Sequence, residues 1–316
     1  MKKTIPIAAW ALGLLLSGQA YAQNNRATVQ QVGDGNMATD TQTGSRNVLA
    51  VSQAGDGNNA TATQAGVSNG ITQTQNDRGA EATATQLGNR NTIVQSQEGR
   101  GTFFGGQATA SQAGNDNRTT QTQVGAVEAA STQVGNRNTS VQNQLGRVLQ
   151  ATITQLGNNN SAEQDQVGAG ATATLLSVGN RNTSFQSQRD ISQNAAGTQL
   201  GNDNRLSQVQ SGANQVATST QLGNRNTAEQ AQGGTANAAA IEQTGSDNRA
   251  YQAQGTSVPS GGNQALIDQD SQSSFASQTQ SGYLNQARTY QGLSGQSSTV
   301  VQDGRDNITV VRQNHP

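Results

Sequence analysis

The sequence predicts an all-β protein: a β-solenoid of cross-β type, with two strands per 22-residue coil and roughly 13 coils. Three observations carry this. One pattern, Q-x-G-x-x-N-x5-Q, returns along the chain, as QLGNRNTIVQSQ at Gln86–Gln97, QVGNRNTSVQNQ at Gln133–Gln144, QLGNNNSAEQDQ at Gln155–Gln166 and QLGNRNTAEQAQ at Gln221–Gln232. Repetition at a fixed period marks a stacked architecture. Segments between the turns alternate at period two, as in Ala80-Glu81-Ala82-Thr83-Ala84-Thr85-Gln86, which argues strand rather than helix. Gly and Asn recur at fixed places between those segments; both tolerate positive φ, and Asn can hydrogen-bond its own backbone.

Residues 1–22 stand apart. Lys2 and Lys3 precede the apolar run Ile5–Leu16, and Ala20-Tyr21-Ala22 is a small-x-small cleavage site. This is the layout of a secretory signal peptide, and the apolar run is short for a membrane span. The mature chain is expected to begin at Gln23, to leave the cytoplasm and to have no stable membrane insertion.

From Gln31 the glutamines step by eleven through 42, 53, 64, 75, 86 and 97. The series resumes at 112, 123, 133, 144, 155 and 166, passes Ser177, and continues from Gln188 to 254 and then from 269 to 313. Four-residue insertions near 100–106 and 255–262 are rich in Gly and contain Pro259, so they read as loops bulging from turns. From Gln86 onward, units with and without the full Gly…Asn turn alternate for most of the chain. The structural period is therefore 22 rather than 11: strand, tight turn, strand, looser turn.

Side-chain alternation sorts each strand into two faces. Leu149, Ala151, Ile153 and Gln155 share one face, and Asn160, Ala162, Gln164 and Gln166 share one on the next strand. These sets are small, apolar or amide, and are assigned inward; Glu163 and Asp165 fall outward. Stacked coils lie about 4.8 Å apart, so each inward Gln or Asn can meet its copy above and below. Such ladders satisfy buried amides that would otherwise cost about 1–3 kcal/mol each. The expected ladder and turn residues are Gln86, Gly88, Asn91 and Gln97; Gln133, Gly135, Asn138 and Gln144; Gln155, Gly157, Asn160 and Gln166; and Gln221, Gly223, Asn226 and Gln232.

Composition sharpens what such a chain can do. Aromatic residues are 3%, the hydrophobic fraction is 31% and largely alanine, and the formal net charge is −1. A conventional apolar core is not available, and order must come from hydrogen bonding. The charge balance gives no electrostatic case for nucleic acid. The chain has no Cys, which excludes disulfides and thiolate metal sites. The single histidine, His315, is next to the C-terminus, and no acid–base pair stands out, so neither catalysis nor a cofactor is expected. Gly33-Asp34-Gly35-Asn36 and Gly55-Asp56-Gly57-Asn58 faintly resemble calcium-binding repeats, but their period is eleven rather than nine. Turn chemistry explains them better.

Outward Thr-x-Thr pairs at Thr61/Thr63, Thr83/Thr85, Thr152/Thr154 and Thr218/Thr220 could suit an ice-binding face, with Leu176, Glu242 and Val301 interrupting it; β-propensity explains them equally well. The repeats begin close to the cleavage site and run to Gln313 with no capping unit in view, so the rod is expected to add to copies of itself.

Q-x-G-x-x-N-x-A-x3-Q resembles the curlin repeat of curli, an extracellular functional amyloid, with Ala38, Ala60, Ala162, Ala228 and Ala250 supplying the alanine after the Asn. The serine that the family carries six residues before the first Gln is replaced at Ala80, Val127, Leu149, Ala171 and Gln215. The resemblance implies a non-enzymatic subunit without cofactor. It implies export from a Gram-negative cell through an outer-membrane channel, a nucleator, growth as a homopolymeric fibre, and roles in biofilm matrix and adhesion to surfaces or host-matrix ligands. An alternative is a monomeric β-solenoid binding module, ice-binding or adhesin-like.

Overall fold

The computed structural model describes residues 24–99, 105–255 and 260–314. The signal segment and the centres of both insertions lie outside the described residues. Within them the chain forms 26 strands and no helix. Odd-numbered strands build one 13-stranded sheet and even-numbered strands a second, and within each sheet every neighbour is two elements away in sequence. That order is a β-solenoid of thirteen coils with two strands to a coil.

All pairings are parallel, and the register states the period directly. β10 (Val127–Asn136) pairs with β12 (Leu149–Asn158) as Val127↔Leu149 through Asn136↔Asn158, a step of 22. The step becomes 26 at Glu81↔Gln107 and at Ala238↔Gln264, where the insertions fall, and 21 at Gln107↔Glu128. The inward columns ignore these changes, since Gln86, Gln112 and Gln133 still stack directly. A slip of one residue would turn every amide out to solvent, so the extra length is pushed into corners.

Strands run six to ten residues, longer in places than the seven-residue segments read from the pattern. β11 (Thr139–Arg147) and β13 (Ser161–Ala169) continue past the ladder glutamine and through the glycine. They can do so because the corner backbone goes on bonding between coils, as from Asn159 N–H to Asn136 C=O at 2.9 Å.

The interior is thin, so it is filled by complementary sizes across the two sheets. Ala162, Ala228, Ala250 and Ala276 of the odd sheet share one apolar cluster with Ile153, Leu175, Ile241 and Ile267 of the even sheet. A second cluster reverses the arrangement, with Leu49, Ile71 and Ile93 on the odd sheet against Ala60, Ala62, Ala84 and Ala110. Between them runs a buried hydroxyl chain: Thr119 Oγ1 lies 3.3 Å from Ser131 Oγ, which donates to Ser140 Oγ at 2.9 Å. The polar columns around these clusters supply further order through their hydrogen bonds.

Candidate functional site

The feature that recurs at every level is a set of inward amide columns. In the even sheet Gln86 Nε2 donates to Gln112 Oε1 at 3.0 Å, Gln112 to Gln133 at 2.8 Å, Gln133 to Gln155 at 2.8 Å, and Gln221 to Gln243 at 2.9 Å. In the odd sheet Gln97 donates to Gln123 at 2.9 Å, Gln144 to Gln166 at 2.8 Å, Gln166 to Gln188 at 2.8 Å, and Gln232 to Gln254 at 2.9 Å. All of these glutamines are at least 97% buried.

An amide nitrogen has two hydrogens, and the second ties the sheets together. Gln144 Nε2 also donates to the Glu128 carbonyl of β10 at 2.9 Å, and Gln133 Nε2 to the Arg118 carbonyl at 3.2 Å. One hydrogen runs along the rod and the other across it. Because the cross-sheet bond requires the nitrogen on that side, the amide cannot flip, and the column has a fixed direction. Donors point toward the C-terminal coil throughout.

The corner uses Gly and Asn differently from one another. Gly135 holds φ of 119°, and a Cβ there would stand 1.9 Å from the Gly157 carbonyl oxygen. Only glycine lets adjacent corners stack this closely. Gly88, Gly157 and Gly223 repeat the arrangement against Gly114, Gly179 and Gly245. The asparagine is not the residue with positive φ; Arg137 is, at 55°, as are Arg90, Asn159 and Arg225 one residue before Asn91, Asn160 and Asn226. Asn138 instead lies fully buried and clamps successive coils. Its Nδ2 donates to the Gly157 carbonyl at 2.8 Å, and its Oδ1 accepts from Asn160 N–H at 3.0 Å. Asn91, Asn160 and Asn226 donate to Gly114, Gly179 and Gly245 in the same way, at 2.7, 2.9 and 3.0 Å. Gly and Asn are therefore a pair acting between coils, and the asparagine is a ladder residue placed at a turn.

Two further columns lie outside the motif's fixed positions: the central one follows from the inward assignment of Gln164, and the outer corner one escaped the sequence reading. Gln142, two residues before Gln144, belongs to a central ladder from Gln73 to Gln278, with Gln142 Nε2 donating to Gln164 Oε1 at 3.0 Å and Gln164 to Gln186 at 2.7 Å. An outer corner ladder links Asn136 Nδ2 to Asn158 Oδ1 at 2.9 Å and Asn158 to Asn180 at 3.0 Å. Both were signalled by an amide returning every 22 residues beside the motif.

The outside of the rod is less regular. At the corner, Arg90–Asp116, Arg181–Asp203 and Arg225–Asp247 pair at 2.6–2.7 Å. The hydrogen bond from Arg90 holds the Asp116 carboxyl below the usual carboxylate range, but solvent screens such exposed pairs. The threonine pairs stack over the first coils, Thr39↔Thr61↔Thr83↔Thr109, and then give way to Ala130. Leu176 and Glu242 do lie in that sheet's outer columns, whereas Val301 belongs to the odd sheet, so it does not interrupt the threonines. Among the described residues no group of three or more His, Cys, Asp or Glu side chains is placed to hold a metal ion, and no helix is long and apolar enough to cross a membrane.

A parallel solenoid that carries the same amide columns along most of its length suggests a structural rather than a catalytic protein. Its repeat is of a known kind: the family model of the curlin associated repeat matches residues 223–251, the stretch from Gly223 to Tyr251. The chain is thus a curlin-repeat-containing β-solenoid. No curated protein matches it.

Proposed function

We propose that this chain is a secreted structural subunit that joins end to end with copies of itself to form extracellular fibres of the curli type, serving biofilm matrix and surface adhesion. The observation that carries this reading is the state of the two ends. Among the described residues β1 (Arg26–Val32) pairs only with β3 (Val48–Ala54), and β2 (Met37–Ser45) only with β4 (Asn59–Val67). At the other end β25 (Ser297–Arg305) and β26 (Ile308–Gln313) each have a partner on one side. Unpaired strand edges of this length are templates for a further strand.

The ladders favour one orientation of joining. Gln31 and Gln42 donate toward the second coil at 2.7 and 2.8 Å, and Gln280 and Gln291 donate toward Gln302 and Gln313 at 2.8 Å each. A first coil set on a last coil continues donor onto acceptor, whereas two like ends set acceptor on acceptor or donor on donor. Proposed partners are therefore copies of the chain, together with a curli-type outer-membrane channel and a nucleator on the strength of the repeat. The repeat and the fold suggest a structural rather than a catalytic role.

Fibre diffraction with electron microscopy tests this. The purified chain should form unbranched fibres that bind thioflavin and give a meridional reflection near 4.7–4.8 Å. A monodisperse rod at all concentrations, without that reflection, would overturn the reading and leave a monomeric binding module in its place.

A further inference from the structure

One inward residue in the first coil breaks the columns above it. Asp40, on β2, begins the column that continues as Ala62, Ala84, Ala110, Ser131 and Ile153. Its Oδ1 is buried and has no hydrogen-bond partner. The inward positions of the strands packed against it are Ala27 and Val29 on β1, Leu49 and Val51 on β3, and Ala60 and Ala62 on β4. None of these titrates or carries charge; Arg26 stands on the outer face of β1. Burial alone pushes the Asp40 carboxyl up to about 6.

The opposite end shows what this carboxyl would meet. Thr289 stacks on Val311 in the same column, so a second copy continuing the rod by one level would set its Val311 on Asp40. Among the other inward strand positions Gln302 would meet Gln31, Gln313 would meet Gln42 and Val300 would meet Val29, while the hydroxyls of Ser298 and Thr309 would meet Ala27 and Ala38. Asp40 is the single charged mismatch. Closing a junction over it would strip the remaining solvent from a carboxylate with no partner, which is costly for the ion and far less so for the neutral acid.

We propose that Asp40 makes the joining of two copies depend on protonation, its carboxylate holding the β1–β2 end closed to a second copy's β25–β26 end and its neutral carboxyl admitting it. The inference rests on the self-assembly reading above. It makes growth slow at neutral pH and fast in acid, through one residue at one end of the rod.

The test is seeded elongation of the purified chain, followed by light scattering between pH 4.5 and 7.5, on the native chain and on Asp40→Ala, Asp40→Asn and Asp34→Asn. Asp34 is an exposed carboxylate on the turn beside the same end, so Asp34→Asn makes the same charge change without touching the column. The native chain and Asp34→Asn should elongate about tenfold or more faster at pH 5 than at pH 7.5, following the fraction of Asp40 protonated. Both Asp40 variants should elongate rapidly with a flat profile. A flat native profile, or Asp40 variants that keep the acid acceleration, would overturn the proposal. Circular dichroism of the variants, matching the native spectrum, establishes that the rods compared are folded. If no form elongates at any pH, the self-assembly reading fails first and this inference falls with it.

Discussion

The side-chain nitrogen of Gln155 is buried without a hydrogen-bond partner directly beneath Ser177, the one position where the even-sheet glutamine column is interrupted. Ser177 Oγ reaches only the other way, donating to Gln199 Oε1 at 3.2 Å, and Ser184 Oγ lies 2.6 Å from the same oxygen. The ladder therefore has a one-rung gap in the middle of the rod. Ser177→Gln should close it, giving Gln155 an acceptor and raising stability by about 1 kcal/mol. Urea denaturation followed by circular dichroism checks this; a lowered midpoint would mean that the gap has no room for an amide.

Gly197 is a glycine of space rather than of backbone angle. A Cβ there would stand 2.3 Å from Leu206 Cδ2 and 2.9 Å from Leu175 Cδ1. Gly197→Ala should destabilise by about 1–3 kcal/mol through overpacking, and adding Leu206→Ala should recover part of the loss. A double-mutant cycle gives the coupling; strictly additive costs would show that the two residues do not share that space.

Inward and outward positions of the same strand should respond very differently. Gln133→Leu with Gln144→Leu removes two columns' rungs and leaves Gln112, Gln155, Gln123 and Gln166 with lost partners, so a loss of several kcal/mol and slower fibre growth are expected. Thr139→Ser with Val141→Ser changes only the outward face and should alter stability by less than about 1 kcal/mol. Equal fibrillation rates for the two double variants would contradict the ladder's role.

Asp40 should also appear in the folding stability of the separate rod. Its carboxyl titrates at about 6 in the folded chain against 3.8 as a free side chain, so the native state binds more protons between those values. Stability then falls as pH rises from about 4 to about 6 and stays reduced above that. Asp40→Ala should abolish this segment of the pH profile in denaturation measured at low protein concentration; an unchanged profile would place the titration elsewhere.

Most of the fold was legible because the repeat is nearly exact where it matters. The spacing of Gln133, Gln155 and their copies states the 22-residue register, and the alternation around Ile153 and Gln155 states which face is inside. What the spacing could not state is which atom of each side chain does the work. Asn138 reads as a turn residue because asparagine so often is one, yet the positive φ falls on Arg137. The asparagine is needed at that corner for a bond to Gly157, a residue of the next coil. The central column of Gln142 and Gln164 followed from alternation, which set Gln164 inward, whereas the corner column of Asn136 and Asn158 was passed over because it lies outside the motif's fixed positions.

The sequence by itself determined the solenoid, its period and its amide interior, since a pattern that returns every 22 residues can bury itself only against its own copies. Only the tertiary structure decided the direction of the ladders, the sharing of volume between Gly197 and Leu206, and the burial of an unpartnered Asp40 oxygen at one end. The physical reason is the same in each case. These properties belong to contacts between sheets and between coils, where a hydrogen's direction or a methyl's volume is set by a residue 9 to 22 positions away, and no local pattern records which neighbour that will be.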